Sequence, residues 1–153
     1  MGIKNFRAPQ KQPGKTTRKA TLVSDCMTTN LITFKPDQSV LDVMNLLIKN
    51  NISGGPVVNN QGELIGIISE GDCIKQISES QYFNMPMTET KVEGHMIKNV
   101  ETIDGSLNIF DAANKFLNSK RRRFPIVKDG KLIGQISQKD ILIAALKSKG
   151  TTW

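Results

Sequence analysis

GIISEGD, Gly66 to Asp72, and GQISQKD, Gly134 to Asp140, are the stretches on which the fold turns. Each reads as the end of an apolar strand, then a serine, then the first turn of a helix, with Ser and Asp three residues apart. The flanking chain repeats with them. At an offset of 69, Met27 falls on Met96, Asn30 on Asn99, Thr33 on Thr102, Asp42 on Asp111, Asn45 on Asn114, Pro56 on Pro125 and Val58 on Val127. One residue is lost where NNQG becomes KDG. At an offset of 68, Gly62, Leu64, Ile65 and Gly66 then fall on Gly130, Leu132, Ile133 and Gly134. Ile68, Ser69 and Asp72 fall on Ile136, Ser137 and Asp140 in the same register. Self-similarity with glycines and prolines in step marks a duplicated structural unit.

Each copy has the same grammar. A short extended piece, LITF (31–34) or VETI (100–103), precedes a helix. Val40, Val43, Met44 and Leu47 make one helical face, and Ile109, Ala112, Ala113, Phe116 and Leu117 the other, at i, i+3, i+4, i+7 spacing. A strand led by Pro56 or Pro125 follows, where a residue without an N–H suits the strand start. A tight glycine turn leads to a second apolar strand, and the closing helix begins at Ser69 or Ser137. The unit is β-α-β-β-α. One copy is too small to bury its own apolar faces, so the expected fold is α+β, two such repeats packed sheet to sheet about a pseudo-two-fold axis. The expected layout is a basic arm over 1–20, a first repeat over 21–80, a connector over 81–91 and a second repeat over 92–149.

Charge is concentrated at one end. Of the formal +7, the arm supplies Lys4, Arg7, Lys11, Lys15, Arg18 and Lys19 with no acid, and the rest is nearly neutral. Such an arm suits nucleic acid, anionic lipid or an acidic protein surface, or serves only as a solvated tail. It has one aromatic, Phe6, and no helix-turn-helix pattern, so any nucleic-acid contact is expected to be blind to sequence. No apolar run reaches the roughly 18 residues of a membrane span. The arm also lacks the apolar middle of a secretory signal. Two cysteines without motif spacing, Cys26 and Cys73, are then expected as reduced thiols in the cytoplasm. An enzyme finds little support. His95 is the only histidine, and no cluster of ligands or nucleophile–base pair is apparent. Neither a catalytic residue nor a metal is assigned. Cys73 reads as a packed thiol rather than an activated one.

The Ser-x-x-Asp corner has two compatible readings. It is a capping box, in which serine and acid satisfy each other's backbone N–H groups at the helix start. It is also suited to a nucleotide. The helix N-terminus attracts phosphate, the hydroxyl adds a hydrogen bond, and an acceptor-only carboxylate can take both hydroxyls of a ribose. Gly66 and Gly134 leave room for a ligand or another strand to approach. Two corners from two packed copies are expected to face one another across a shared groove. Lys120–Arg123 precedes the second proline strand, where the first copy has Asn51–Gly54, and Glu70 sits beside Ser69. The second corner therefore suits a phosphate-rich ligand better than the first.

Over residues 22–148 both copies resemble CBS domains, the modules named after cystathionine β-synthase. The likeness rests on DCMTTNLITFKPDQSV and GHMIKNVETIDGSLNI, on ISGGPVV and RRRFPIV, on GELIGIIS and GKLIGQIS, and on the closing Ser-x-x-Asp. A tandem pair of this kind, a Bateman module, is a regulatory sensor of adenosine ligands such as AMP, ADP, ATP, S-adenosylmethionine and NAD. The resemblance implies that Asp72 and Asp140 hold ribose, and that Ser69 and Ser137 touch ribose or phosphate. It implies that Thr33 and Phe34, with Thr102 and Ile103, meet adenine, and that Arg122 and Arg123 meet phosphate. It further implies a homodimer and a regulated partner protein, with AMP the first ligand to test and no catalytic cofactor. Gly54 departs from the pattern by offering no side chain where Arg123 stands, and Gly105 stands where the first copy has Pro36. The contrasting reading is a dimerisation or interaction scaffold with vestigial ligand sites.

Overall fold

The computed structural model describes residues 20–84, 86 and 89–148. The basic arm, apart from Ala20, lies outside the described residues. Each copy is built as helix, hairpin, closing helix. The first holds α1 (Val23–Cys26), α2 (Val40–Asn50), β1 (Gly54–Val58), β2 (Leu64–Ser69) and α3 (Glu70–Phe83). A 3-10 turn at Val92–Gly94 leads to α4 (Ile109–Asn118), β3 (Arg123–Lys128), β4 (Lys131–Ser137) and α5 (Gln138–Ser148). The helix starts are made by short polar side chains. Ser39 Oγ accepts from Asp42 N at 3.0 Å, and Asn108 Oδ1 accepts from Phe110 N and Asp111 N.

The hairpins pair antiparallel with the same register. Gly54 lies opposite Ser69 and Pro56 opposite Ile67; Arg123 lies opposite Ser137 and Pro125 opposite Gln135. Both carry a bulge, with Val57 and Val58 facing Gly66 and Leu64, and Ile126 and Val127 facing Gly134 and Leu132. The lost residue is a change of turn. Asp129 and Gly130 both have positive φ, which fits a two-residue loop. The longer first turn closes with Gly62 N donating to Asn59 O at 3.0 Å and Gly62 at φ +82.

The leading strand of each unit is shorter than the sequence pattern predicts. Phe34 and Ile103 each make one parallel bridge, to Val57 and Ile126. Proline explains the truncation. Phe34 N donates to Pro56 O at 2.9 Å and Val58 N to Phe34 O at 2.9 Å. The next rung would need an N–H on Pro56, which has none. Pro56 and Pro125 are the third residues of β1 and β3, so they stop this pairing rather than begin the strand.

The copies exchange their leading segments. Thr28 bridges Gln135 of β4, and Ile97 bridges Ile67 of β2. Val23 N donates to Leu107 O, and Val92 N to Gln38 O. Between them the hairpin tips meet, with Leu64 N donating to Gly130 O and Leu132 N to Gly62 O. These reciprocal contacts are the pseudo-two-fold relation. They explain the glycines. A Cβ on Gly66 would lie 2.5 Å from Met96 Sδ and 3.0 Å from the Ile97 carbonyl oxygen, so another strand fills that space. Gly134 faces Met27 and Thr28 in the same way.

Two cores result. Phe34, Val40, Val43, Leu47, Val57 and Ile68 form the first, joined by Val92 from the far side of the connector. Ile103, Ala112, Phe116, Phe124, Ile126 and Ile136 form the second, joined by Val23. Leu117 departs from expectation. It is turned away from the Ile109–Ala112–Phe116 face and is 81% exposed, as is its repeat counterpart Ile48 at 80%. No helix among the described residues is long and apolar enough to cross a membrane.

Candidate functional site

The two corners form as the spacing requires. Ser69 N donates to Asp72 Oδ2 at 2.8 Å, and Ser137 N donates to Asp140 Oδ2 at 2.9 Å. Both serines complete the reciprocal cap: Ser137 Oγ accepts from Asp140 N at 3.1 Å, and the Ser69 side chain accepts from the backbone of Asp72 while its Oγ lies 3.0 Å from Asp72 Oδ2. In both copies the cap engages Oδ2 alone, and neither Asp72 Oδ1 nor Asp140 Oδ1 takes a hydrogen bond among the described residues. Both acids are half-buried. The capping reading is thus realised, and it leaves one oxygen of each carboxylate free to accept.

Among the described residues the two acids line separate cavities rather than one shared groove. Each acid lines its own cavity, closed by the other copy's leading segment. Asp140, Ile143 and Lys147 of α5 face Asp25, Cys26 and Met27 across about 420 Å³. Asp72, Lys75 and Glu79 of α3 face His95, Met96 and Ile97 across about 390 Å³. Because the segments are exchanged, each helix meets a segment that lies far from it in the chain.

Of the ten residues assigned from sequence, Asp72 and Asp140 line these cavities, and Ser69 and Ser137 are bonded to them. Arg123 is half-buried and directly opposite Ser137, so the two side chains share a face of the hairpin. Arg122 is exposed, and its carbonyl accepts from Gln138 N at 3.0 Å, tying the strand to the helix start. Neither arginine forms an ion pair among the described residues; Arg121 of the same run is held by Glu101 at 3.3 Å. Phe34 and Ile103 are core residues, 0% and 3% exposed, so their side chains are closed to a ligand. Thr33 is exposed and Thr102 half-buried.

Sequence reasoning missed the methionines, Cys26, Lys147 and His95 as cavity walls. Met27 and Met96 open the repeat register, and that identity was the available signal. Cys26 sits close enough to the acids to feel them. Burial, then the Asp140 and Asp25 carboxylates, push its thiol above the usual value. Cys73 is raised by burial, then by Asp72 and Glu70, and is 3% exposed, so it is an inert packed thiol.

Comparison with known proteins places this geometry. The CBS domain profile matches residues 23–79 and 92–147. The chloroplastic CBS domain-containing protein CBSX2 of Arabidopsis thaliana is 31% identical over 174 residues, covering 97% of this chain and 71% of that protein. A crystal structure of CBSX2 in complex with AMP superposes with a TM-score of 0.73 at 34% identity, covering 84% of this chain and 98% of that one. The CBS domain pair of protein MJ0100, in complex with 5′-methylthioadenosine and S-adenosyl-L-methionine, gives 0.65 at 26% identity, covering 87% and 100%. Duplicated corners, exchanged segments and a profile that matches twice lead to one assignment: this chain belongs to the CBS domain family and carries two CBS domains in tandem.

Proposed function

We propose that this protein is a non-catalytic regulatory module that binds adenosine ligands in its two clefts, with AMP as the leading candidate. The observation that carries this reading is the repeated corner. A half-buried carboxylate, pinned through one oxygen, lines a cavity of about 400 Å³ in each copy. That volume is within the ~300–1,000 Å³ range of small-molecule sites. A pinned acceptor costs little to order when a ribose arrives. The relatives' ligands support the class, since CBSX2 holds AMP and the MJ0100 pair holds two other adenosine compounds. In this reading Asp72 and Asp140 take the ribose hydroxyls, and Met27 and Met96 offer apolar walls to the base. Ser137, Arg122 and Arg123 serve a phosphate in the second cleft. Thr33 and Thr102 are left as the polar side chains flanking the leading strands.

The protein is also proposed to pair with itself. Ile48 and Leu117 on the first helices, and Ile74 and Leu142 on the closing helices, are exposed at repeat-equivalent positions. Apolar surface that recurs on both copies favours a symmetric contact. Output then passes to a partner protein that distinguishes the filled from the empty state.

A thermal-shift panel of AMP, ADP, ATP, S-adenosylmethionine and NAD tests the binding. At a hundredfold excess over Kd a ligand stabilises by ~2.7 kcal/mol, a shift of several degrees for a chain of this size. The AMP shift is expected to be mostly lost in Asp140→Ala and less so in Asp72→Ala. The absence of a shift with every adenosine ligand would favour the scaffold reading instead.

A further inference from the structure

The near-neutral charge of the chain beyond its basic arm hides a division between the two copies. Residues 21–80 hold three cations and seven acids, whereas residues 92–148 hold ten cations and six acids. The first copy is therefore net −4 and the second net +4. The exchange of opening segments does not blur this. It sends Asp25 to the second copy, where it lines the Asp140 cavity, and Glu93 to the first, where its N–H donates to Pro36 O. Resting on the reading that the protein pairs with itself, we propose that it pairs head to tail, with the acidic copy of each chain against the basic copy of the other.

A two-fold axis allows two arrangements, like copies together or unlike copies together. Apolar burial does not choose between them. Ile48 and Leu117 are 80% and 81% exposed, and Ile74 and Leu142 are 65% and 64% exposed. The members of each pair stand at equivalent positions of the repeat, so either arrangement offers the same apolar surface. Charge does choose. Like copies would set acidic against acidic and basic against basic, while unlike copies bring opposite signs together twice.

The division reaches the apolar residues themselves. On α3, exposed Glu70 stands four residues before Ile74, on the same helix face. On α5, exposed Lys139 stands three residues before Leu142. Neither makes an ion pair within the chain among the described residues. Lys139 is also poorly placed for its own helix. It lies in the first turn of α5, where the helix dipole disfavours a cation. A carboxylate on a facing chain offsets that cost. Farther along, Glu79 of α3 falls on Lys147 of α5 in the repeat register, a reversal of sign at one position.

Sedimentation equilibrium of the full chain and of three charge variants tests the orientation. Glu70→Lys and Lys139→Glu should each weaken the dimer by at least about fivefold, because each turns attraction into repulsion at both symmetry-related contacts. A carboxylate in the first turn of α5 suits the helix, so a loss of pairing in Lys139→Glu is not a loss of fold. The double variant, which swaps the two charges, should return to within about twofold of the wild type. Single variants that pair as tightly as the wild type, or a double variant no tighter than the singles, would overturn the head-to-tail arrangement while pairing stands. A wild-type chain that stays monomeric would remove the pairing reading itself, and the orientation with it.

Discussion

At Gly134 a Cβ would lie 2.6 Å from Met27 Sδ and 3.1 Å from the Thr28 carbonyl oxygen. The thioether can move, but the carbonyl is fixed, because Gln135 N donates to it at 3.0 Å. Gly134→Ala is therefore expected to cost about 1–3 kcal/mol, by overpacking, and to lower Tm by several degrees in thermal melts. Combining it with Met27→Ala should cost less than the sum, because the second change opens the space the first one needs. An additive pair would mean that Met27 does not sit against this glycine. The sequence made both residues visible as repeat identities, and it offered two occupants for the space, a ligand or a strand. The strand and the methionine occupy it. The capping geometry was equally legible, since Ser-x-x-Asp before an apolar helix leaves the backbone few other partners.

Among the elements, the hairpins and the long helices follow from periodicity and turn chemistry, and they form where the pattern puts them. The leading segments do not follow from it. Val23 opens the first copy but packs in the core of the second, and Val92 reverses the arrangement. No local period reports a contact between segments some eighty residues apart, so a division of the chain at its connector hides the exchange. Val23→Ala removes a side chain that is 0% exposed and should cost about 2 kcal/mol. The effect should appear first as faster amide exchange in β3 and β4. Faster exchange confined to β1 and β2 would contradict the exchange of segments. Leu117 shows the limit of helical spacing in the other direction. It follows Phe116 by about 100°, so a stripe that looks continuous in sequence runs off the core side at the helix end.

For the whole molecule, the exchanged segments mean that neither cleft is complete in one copy. The wall opposite Asp140 comes from the residues that open the first copy, and the wall opposite Asp72 from the residues that open the second. A ligand in either cleft thus bridges the two copies, and binding should stiffen the pair as one body. The apolar residues left outside are expected to meet those of a second chain. Light scattering should give a dimer for the wild type and a monomer for Ile48→Glu combined with Leu117→Glu; a wild-type monomer at tens of micromolar, as an order-of-magnitude working concentration for a stable dimer, would contradict the pairing. The central claim is that Asp140 holds ribose in a cleft walled by the other copy. A crystal structure grown with AMP tests it most directly. The account predicts the ribose hydroxyls on the free carboxylate oxygen of Asp140, with the base against Met27 and the phosphate at Ser137 and Arg123. AMP bound elsewhere, or Asp140 serving only its helix cap in a cleft without ligand, would contradict it.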